Sequence, residues 1–474
     1  MIILVGYCSW ELYFMSMKQL FGDKKFYLTI LAIALPLMFQ QLVTSSINLI
    51  DNVMVGELGD YAISGVAAVN RFYMIAFFGI NGIMGTATVY IAQFFGAKKE
   101  DKMQETFRIS IFMGLAIALP FLLVGLFAPY FVVSFFTDEP LIIIEGVRYL
   151  VIMSFAYIPL AITMAIASAM RAVGDTKTPL MISLFAMLIN VTFNYLLIFG
   201  HFGFPRLEVR GAALAILIAR IVEVILLLIV VRLRDYKFKT KLKDLPKFSK
   251  QLFVVIIRKA TPLVSNEILW ATGMATLFML YASRGPVVMA GFSISGTIGD
   301  VFFILFSGMA VATTIMVSQP LGSNKLQEAK INAYRIFAFS MILSVLFGIL
   351  MFSSSFAVPL IYQRATIEAQ AVASGILRIM AIFYFLYMAN AQCYFILRAG
   401  GDMKSTLYMD SGFMWLVNIP VVALVTFLTG WSIYYIFIIG QLMEIAKLFV
   451  SIKLLRKDKW VVNLTNQESK EAIN

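Results

Sequence analysis

The sequence contains few charged residues, few cysteines and almost no histidine. Charged residues make up 14% of the 474 positions, and since they make up roughly 25% of an average soluble chain, a soluble globular protein is excluded. Two cysteines, Cys8 and Cys393, indicate neither a disulfide framework nor a metal site. With His201 as the single histidine, a zinc cluster is also excluded. An integral-membrane enzyme is therefore disfavoured, and we expect no cofactor.

Long apolar runs dominate the sequence instead. Hydrophobic residues make up 61% of the chain, and the mean hydropathy is +0.88. Apolar runs of about 20 residues recur between short polar stretches, which is typical of an all-α integral membrane protein. We predict twelve transmembrane helices. Their expected spans are 28–50, 62–92, 107–130, 145–168, 179–200, 212–232, 257–282, 288–318, 334–358, 370–397, 406–428 and 432–455.

Lysine and arginine are concentrated on one side of the expected membrane protein. The stretches 18–25, 98–108 and 171–177 are basic, as is the central segment 233–256. Because cytoplasmic loops carry the excess of basic residues, we expect both termini to be cytoplasmic. The net charge of +12 then reflects orientation and contact with membrane lipid, and no nucleic-acid partner is expected.

The two halves of the chain repeat each other at a nearly constant offset. Pro36 in the first half matches Pro262 in the second, and the loop 171–177 matches its copy at 398–404 at almost the same offset. Six helices per copy is an even number, so both copies enter the membrane in the same direction. We therefore predict two parallel six-helix bundles with a central cavity, an arrangement typical of transporters that work by alternating access. A duplication that only built a stable bundle is the alternative.

The expected domain organisation follows from the spans and the repeat. We expect a monomer. The segment 1–16 does not resemble a signal peptide, and we expect Met17 to be an alternative start. The predicted segments are a cytoplasmic N-terminal segment 1–27, a first bundle 28–232, a basic linker 233–256, a second bundle 257–455 and a cytoplasmic tail 456–474.

One carboxylate of the first half, Asp51, is expected at a similar membrane depth to two asparagines. Asn190 and Asn194 are one helical turn apart and share a face. The carboxylate and two amide oxygens could hold Na⁺, because hard cations prefer oxygen ligands. A proton on Asp51 shared with the amides fits equally well. The alternatives are an interfacial position for Asp51 and interhelical hydrogen bonds for the asparagines.

In the second half, Glu267 lies inside an apolar run, where a carboxylate costs about 2.5–3.5 kcal/mol. We therefore predict that Glu267 carries a proton or a cation. Asp410 and Asn390 are expected in the same depth band. Trp270, one turn beyond Glu267, could contact a cation or serve only in packing. A structural ion or hydrogen-bond pair is the alternative for both acids.

Two weaker candidates are Asp300 and Gln41. Asp300 falls near the middle of helix eight, where it could face the cavity or pair with a buried base such as Arg378. Gln41 occupies the position of the first half that matches Glu267, at the same offset as Pro36 and Pro262. Since this repeat position has no acid in the first half, two unlike half-sites are expected. Other charged residues within the spans are interpreted as structural: Arg71, Arg220, Glu223 and Glu444.

Several motifs follow one another along the chain in a specific order. They are Pro36 with Gln40 and Gln41, Asp51 to Gly56, Gln93 to Gly96, the loop 171–179, and Ser265-Asn266-Glu267. Their order resembles the multidrug and toxic compound extrusion (MATE) family, and the resemblance covers the chain from about residue 25 to 455. It implies a secondary active antiporter of the bacterial cytoplasmic membrane, which exports small organic, often cationic, drugs in exchange for Na⁺ or H⁺.

The resemblance also assigns roles to single residues. It implies that Asp51, with Asn190 and Asn194, is the cation-linked site of the first half. It likewise implies that Glu267 is the functional acid of helix seven. Many family members have an aspartate in helix ten, where this chain has none; by hypothesis, Asp410 compensates for it. The alternative function is that of a flippase for lipid-linked saccharide or lipid from the same wider superfamily.

Overall fold

A computed structural model describes residues 21–363 and 365–466. The proposed alternative start and the end of the tail lie outside the described residues. The described part of the chain forms helices joined by short loops. Its long helices are α1 (Lys24–Gly56), α2 (Asp60–Gly96), α3 (Glu100–Phe127), α4 (Pro140–Ala172), α5 (Lys177–Phe199), α6 (Val209–Leu233), α7 (Lys250–Ala282), α8 (Pro286–Gly322), α9 (Leu326–Ser354), α10 (Ile367–Ala399), α11 (Met403–Leu428) and α12 (Ile433–Arg456).

These helices fit an all-α membrane protein. Among the described residues, eleven helices are long and apolar enough to cross a membrane. The remaining long helix, α7, has 33 residues and carries the polar run Ser265, Asn266 and Glu267 within its apolar stretch. The predicted fold class of a multi-pass helical protein is confirmed, although most helices extend beyond the predicted spans.

The helices are grouped into two compact units. Within the described residues, the N unit is Pro36–Val264, and the C unit combines residues 21–35 with residues 265–466. The unit boundaries fall beside Pro36 and Pro262, which lie inside α1 and α7 and interrupt the helical hydrogen bonds. The first turns of α1 therefore belong to the C unit and not to the expected first bundle. The first turns of α7 belong to the N unit and not to the expected second bundle.

The first turns of α1 pack against α9 inside the C unit. The Tyr27 ring centroid lies 5.0 Å from that of Phe339. The Arg335 guanidinium lies 5.7 Å from the ring centroid of Phe26, a distance at which a cation and an aromatic ring attract each other. These contacts explain why residues before Pro36 belong to the C unit.

The first turns of α7 pack in the same way inside the N unit. The Phe253 ring centroid lies 5.9 Å from that of Phe112 on α3. Just before α7, the Ser249 backbone N–H donates a hydrogen bond to the Glu105 carboxylate. The segment that joins α6 to α7 is therefore fixed to α3 rather than left free.

The loop before α5 is held by the carboxylate of Asp175. Its Oδ1 accepts a hydrogen bond of 3.0 Å from the Thr178 backbone N–H, and its Oδ2 accepts one of 2.7 Å from the Thr178 hydroxyl. The Tyr236 hydroxyl also donates to Oδ2, and an Arg234 nitrogen lies 3.5 Å from it. Asp175 thus holds the first turn of α5 and ties its start to the segment after α6.

Stability is expected to depend on the charge of Asp175. Burial alone would raise the pKa of this carboxyl, but the hydrogen bonds from Tyr236 and Thr178 and the charge of Arg234 outweigh it and lower the pKa. A lowered folded-state pKa stabilises the protein above the unfolded value of about 3.9, and this contribution is lost as the pH falls through the folded value. Asp175→Asn should therefore lower the melting temperature at pH 7.

The measurement compares melting temperatures of both proteins in detergent from neutral to acidic pH. We expect the difference to disappear as the pH falls through the lowered pKa of Asp175, because the wild-type carboxyl then also becomes protonated. Asp235→Asn is the matched control, because the Asp235 side chain is fully exposed, and it should change nothing. A difference that persists unchanged in acid would contradict the assignment.

Candidate functional site

A cavity of about 330 Å³ lies within the N unit. Its walls come from α1, α2, α4, α5 and α6. Such a cavity is large enough for a small organic molecule, since ligand pockets typically measure about 300–1,000 Å³. The polar residues that line it are Thr44, Asp51, Asn52, Asn70, Tyr73, Tyr149, Ser183, Asn190, Asn194, Arg220 and Glu223.

At one wall of this cavity, Asp51 meets the two asparagines of α5. The Asn194 Nδ2 donates a hydrogen bond of 2.7 Å to Asp51 Oδ1. The Asn190 amide, oriented with its nitrogen toward the carboxylate, lies 3.0 Å from Asp51 Oδ2 and 3.3 Å from Oδ1. Asn194 is only 1% exposed, and Asn190 is 7% exposed. The structure thus brings together the three residues that the sequence placed at a similar depth.

This arrangement would allow the Asp51 carboxylate to bind either Na⁺ or a proton. With both amide nitrogens toward it, the carboxylate is satisfied as an anion. The Asn194 Oδ1 is buried and has no hydrogen-bond partner among the described residues. Rotation of the amides would turn their oxygens toward Asp51, where they and the carboxylate could ligate Na⁺. Binding of a proton would require only the Asp51 carboxylate and no rotation of the amides.

A second charged group of the same cavity is formed by α5 and α6. The Arg220 Nη1 lies 2.7 Å from Glu223 Oε2, and the Ser183 hydroxyl donates a hydrogen bond of 3.0 Å to Glu223 Oε1. Arg220 and Glu223, interpreted from the sequence as structural residues, also line the cavity. With Asp51, Glu223 and Arg220 ionised, these three groups carry a net charge of −1.

In the C unit, Glu267 faces a base. The Arg398 Nη1 lies 3.9 Å from Glu267 Oε1, and the Glu267 side chain is 14% exposed. The neighbouring Asn266 donates from Nδ2 to Asp410 Oδ2 at 3.2 Å and accepts from the Ser411 hydroxyl at 2.7 Å. α7 is thereby joined to α11, and Glu267 has a nearby opposite charge.

Asp410 lies in a stretch of α11 where the helix widens. Residues 408–412 and 414–418 are π-helical, and π-helical turns occur frequently at functional sites. The Asp410 carboxylate faces α12, where Lys447 Nζ lies 2.7 Å from its Oδ1. The predicted candidate is therefore paired with a base that the sequence interpretation missed.

Lys447 also contacts the second acid of α12. Its Nζ lies 3.9 Å from Glu444 Oε2, and the Asn390 Nδ2 donates to the same oxygen at 2.9 Å. Asn390 thus lies beside Glu444, which had been interpreted as structural. A usable signal was present in the sequence: Glu444 and Lys447 are one helical turn apart near the middle of an otherwise apolar span, and neither is at a helix end.

The weaker candidates lie apart from these contacts. Asp300 is exposed. The suggested pairing with Arg378 is not found, because the Arg378 Nε donates to the Ser355 hydroxyl at 3.1 Å and its guanidinium lies 4.7 Å from the ring centroid of Phe356. The other two exposed candidates are Gln41 and Trp270.

The chain is similar to named bacterial proteins over most of its length. A probable multidrug resistance protein NorM from Halalkalibacterium halodurans is 24% identical over 392 residues, which is 82% of this chain and 85% of that protein. The protein of the same name from Thermotoga maritima is 24% identical over 83% of this chain and 84% of its own length.

Solved structures share the fold at lower sequence identity. A mutant of the Vibrio cholerae MATE transporter VcmN has a TM-score of 0.83 and 17% identity, and the match covers 92% of this chain and 98% of that one. An outward-facing multidrug resistance MATE family transporter of the MOP superfamily has a TM-score of 0.80 and 16% identity, with 94% and 99% covered.

The family model named MatE matches the chain twice, over residues 36–196 and 262–424. The two matches correspond to the two copies of the repeat, and together they cover more than half of the sequence. They agree with the motifs that resemble the MATE family. The chain therefore belongs to the MatE family.

Proposed function

We propose that the protein is a secondary active multidrug efflux transporter, which exports small organic, often cationic, compounds in exchange for H⁺ or Na⁺. The observation that carries this proposal is the Asp51 carboxylate, held by Asn190 and Asn194 at the wall of a cavity. Membership of the MatE family and the similarity to proteins named as multidrug resistance proteins support it.

The proposed coupling is an exchange of positive charge in the N-unit cavity. An organic cation is attracted by the net negative charge of Asp51, Glu223 and Arg220. A proton or Na⁺ that loads Asp51 removes this charge, so drug and ion oppose each other's binding. Alternating access of two parallel bundles would then convert the opposition into exchange. The membrane potential adds about 2.3 kcal/mol per 100 mV to the free energy of exchange for each net charge that crosses the membrane.

The proposed location is the bacterial cytoplasmic membrane, with both termini and the basic segment between α6 and α7 on the cytoplasmic side. The distribution of lysine and arginine supports this orientation. We also propose that the protein acts as a monomer in contact with membrane lipids. The net negative charge of the cavity argues against the flippase alternative, because anionic head groups require a basic cavity.

The test uses purified protein in proteoliposomes loaded with an ethidium-like cation. An H⁺ gradient and a Na⁺ gradient are imposed separately, and the initial rate of dye export is followed by fluorescence. We expect export under at least one gradient and its loss when an ionophore collapses that gradient. Liposomes without protein give the background. A folded protein that exports no dye above this background under either gradient would overturn the proposal.

A further inference from the structure

The last helix of each copy carries an ion pair, and the order of the two charges is reversed between copies. On α6, Arg220 precedes Glu223 by one helical turn, and the charged atoms are 2.7 Å apart. On α12, Glu444 precedes Lys447 by one turn, and the charged atoms are 3.9 Å apart. Both pairs belong to half-chains that descend from one repeat, so the reversal is a difference built onto a shared scaffold.

The contacts to the preceding helix fix which residues correspond. Glu223 accepts a hydrogen bond from Ser183 on α5, whereas Lys447 contacts Asp410 on α11 at 2.7 Å. Ser183 and Asp410 are matching repeat positions, because they are separated along the chain by the same offset as the loops 171–177 and 398–404. Glu223 and Lys447, which are 224 positions apart, therefore contact matching positions of the preceding helix, with an acid in the N unit and a base in the C unit.

The group around Lys447 is shielded from solvent and closely bonded. The Lys447 side chain is 12% exposed, and those of Asp410 and Glu444 are each 16% exposed. Asn266 and Asn390 donate one hydrogen bond each to the two carboxylates. An ionised carboxylate in such surroundings needs a nearby opposite charge. The Lys447 ammonium supplies it from a position between both acids.

We propose that Lys447 is a tethered cation that occupies the acidic site of the C unit, so that Asp410 and Glu444 do not bind a free coupling ion. The oxygens of the two carboxylates would otherwise form a site for a monovalent cation such as Na⁺. The side chain cannot leave, so this site stays filled without an ion from solution. The inference concerns ion binding and holds whichever compound is transported.

The proposal differs from two simpler interpretations of the same residues. If the pair served stability alone, removal of Lys447 would weaken the fold without creating a binding site. If Asp410 were the acid that replaces the missing helix-ten aspartate, wild-type protein would bind an exchangeable cation there. If Lys447 is a tethered cation, the wild-type protein binds no exchangeable cation at this site. Removal of the ammonium then creates a Na⁺ site there.

The experiment counts radioactive Na⁺ bound by purified full-length protein in detergent. Every variant carries Asp51→Asn, so binding at the N-unit cavity does not contribute, and failure of the proposed function would not affect the outcome. We expect Lys447→Gln to bind one more Na⁺ per chain than its parent. Adding Asp410→Asn to Lys447→Gln should remove the extra ion, and Lys447→Arg should not gain it.

Lys453→Gln is the matched control, because it removes a base that is exposed on the same helix; it should leave Na⁺ binding unchanged. Should Lys447→Gln fail to fold, Asp410→Asn alone still tests the proposal, since it should remove no Na⁺ from the parent. A folded Lys447→Gln without extra Na⁺ would overturn the proposal. So would a parent protein that loses bound Na⁺ on Asp410→Asn.

Discussion

Asp51→Asn is expected to abolish gradient-driven export while the protein remains folded. The amide keeps the size of the side chain and can still hydrogen-bond Asn190 and Asn194, but it cannot take up a proton and is a weak Na⁺ ligand. Binding of the ion then no longer opposes binding of the drug. We expect the initial export rate in proteoliposomes to fall to the background of liposomes without protein.

The matched control for Asp51→Asn is Glu57→Gln. Glu57 immediately follows the same helix, and its side chain is exposed, so its neutralisation should leave the export rate unchanged. Both variants should elute as single species and melt near the wild-type temperature. Gradient-driven export by Asp51→Asn at the wild-type rate would show that coupling does not pass through this carboxylate.

Lys447→Met is expected to have the largest effect on stability. Removal of the ammonium takes away the opposite charge beside Asp410 and Glu444, whose side chains are only 16% exposed. Losing one partner of a buried ion pair typically costs about 3–5 kcal/mol. We expect a loss of this size in the free energy of unfolding, measured in Na⁺-free detergent solution. The double variant Lys447→Met/Asp410→Asn should recover much of it, because one carboxylate is then neutral.

Lys453→Met controls for the substitution itself. An exposed site on the same helix should change the free energy of unfolding by no more than about 0.5 kcal/mol. Equal losses for Lys447→Met and Lys453→Met would show that the Lys447 charge is not needed in the C unit. Failure of Asp410→Asn to restore stability would show that the loss arises from packing rather than from unpaired charge.

The sequence was sufficient to predict the helical membrane fold, because an apolar run long enough to cross a bilayer has few other uses. It did not predict that the first turns of α1 and α7 exchange units. Pro36 and Pro262 indicate where each helix is interrupted. The contacts that assign the turns before them, such as Tyr27 with Phe339, join residues far apart in sequence and leave no local pattern.

The candidate site was predictable in part. Asp51, Asn190 and Asn194 were found because their depth and one-turn spacing could be read from the spans. The position of Lys447, one turn from Glu444 in the middle of an apolar span, was also a signal in the sequence. Its contact with Asp410 was not predictable, because it joins two helices and leaves no local pattern.

The exchanged helix turns also impose an order on how the chain can fold during synthesis. The N unit is complete only after the ribosome has passed Val264, well beyond the end of α6. Phe26 is made early, yet its partner Arg335 is made only after the whole N unit. Contacts of such long sequence separation form slowly. The first turns of α1 are therefore among the last of the described helical turns to find their neighbours.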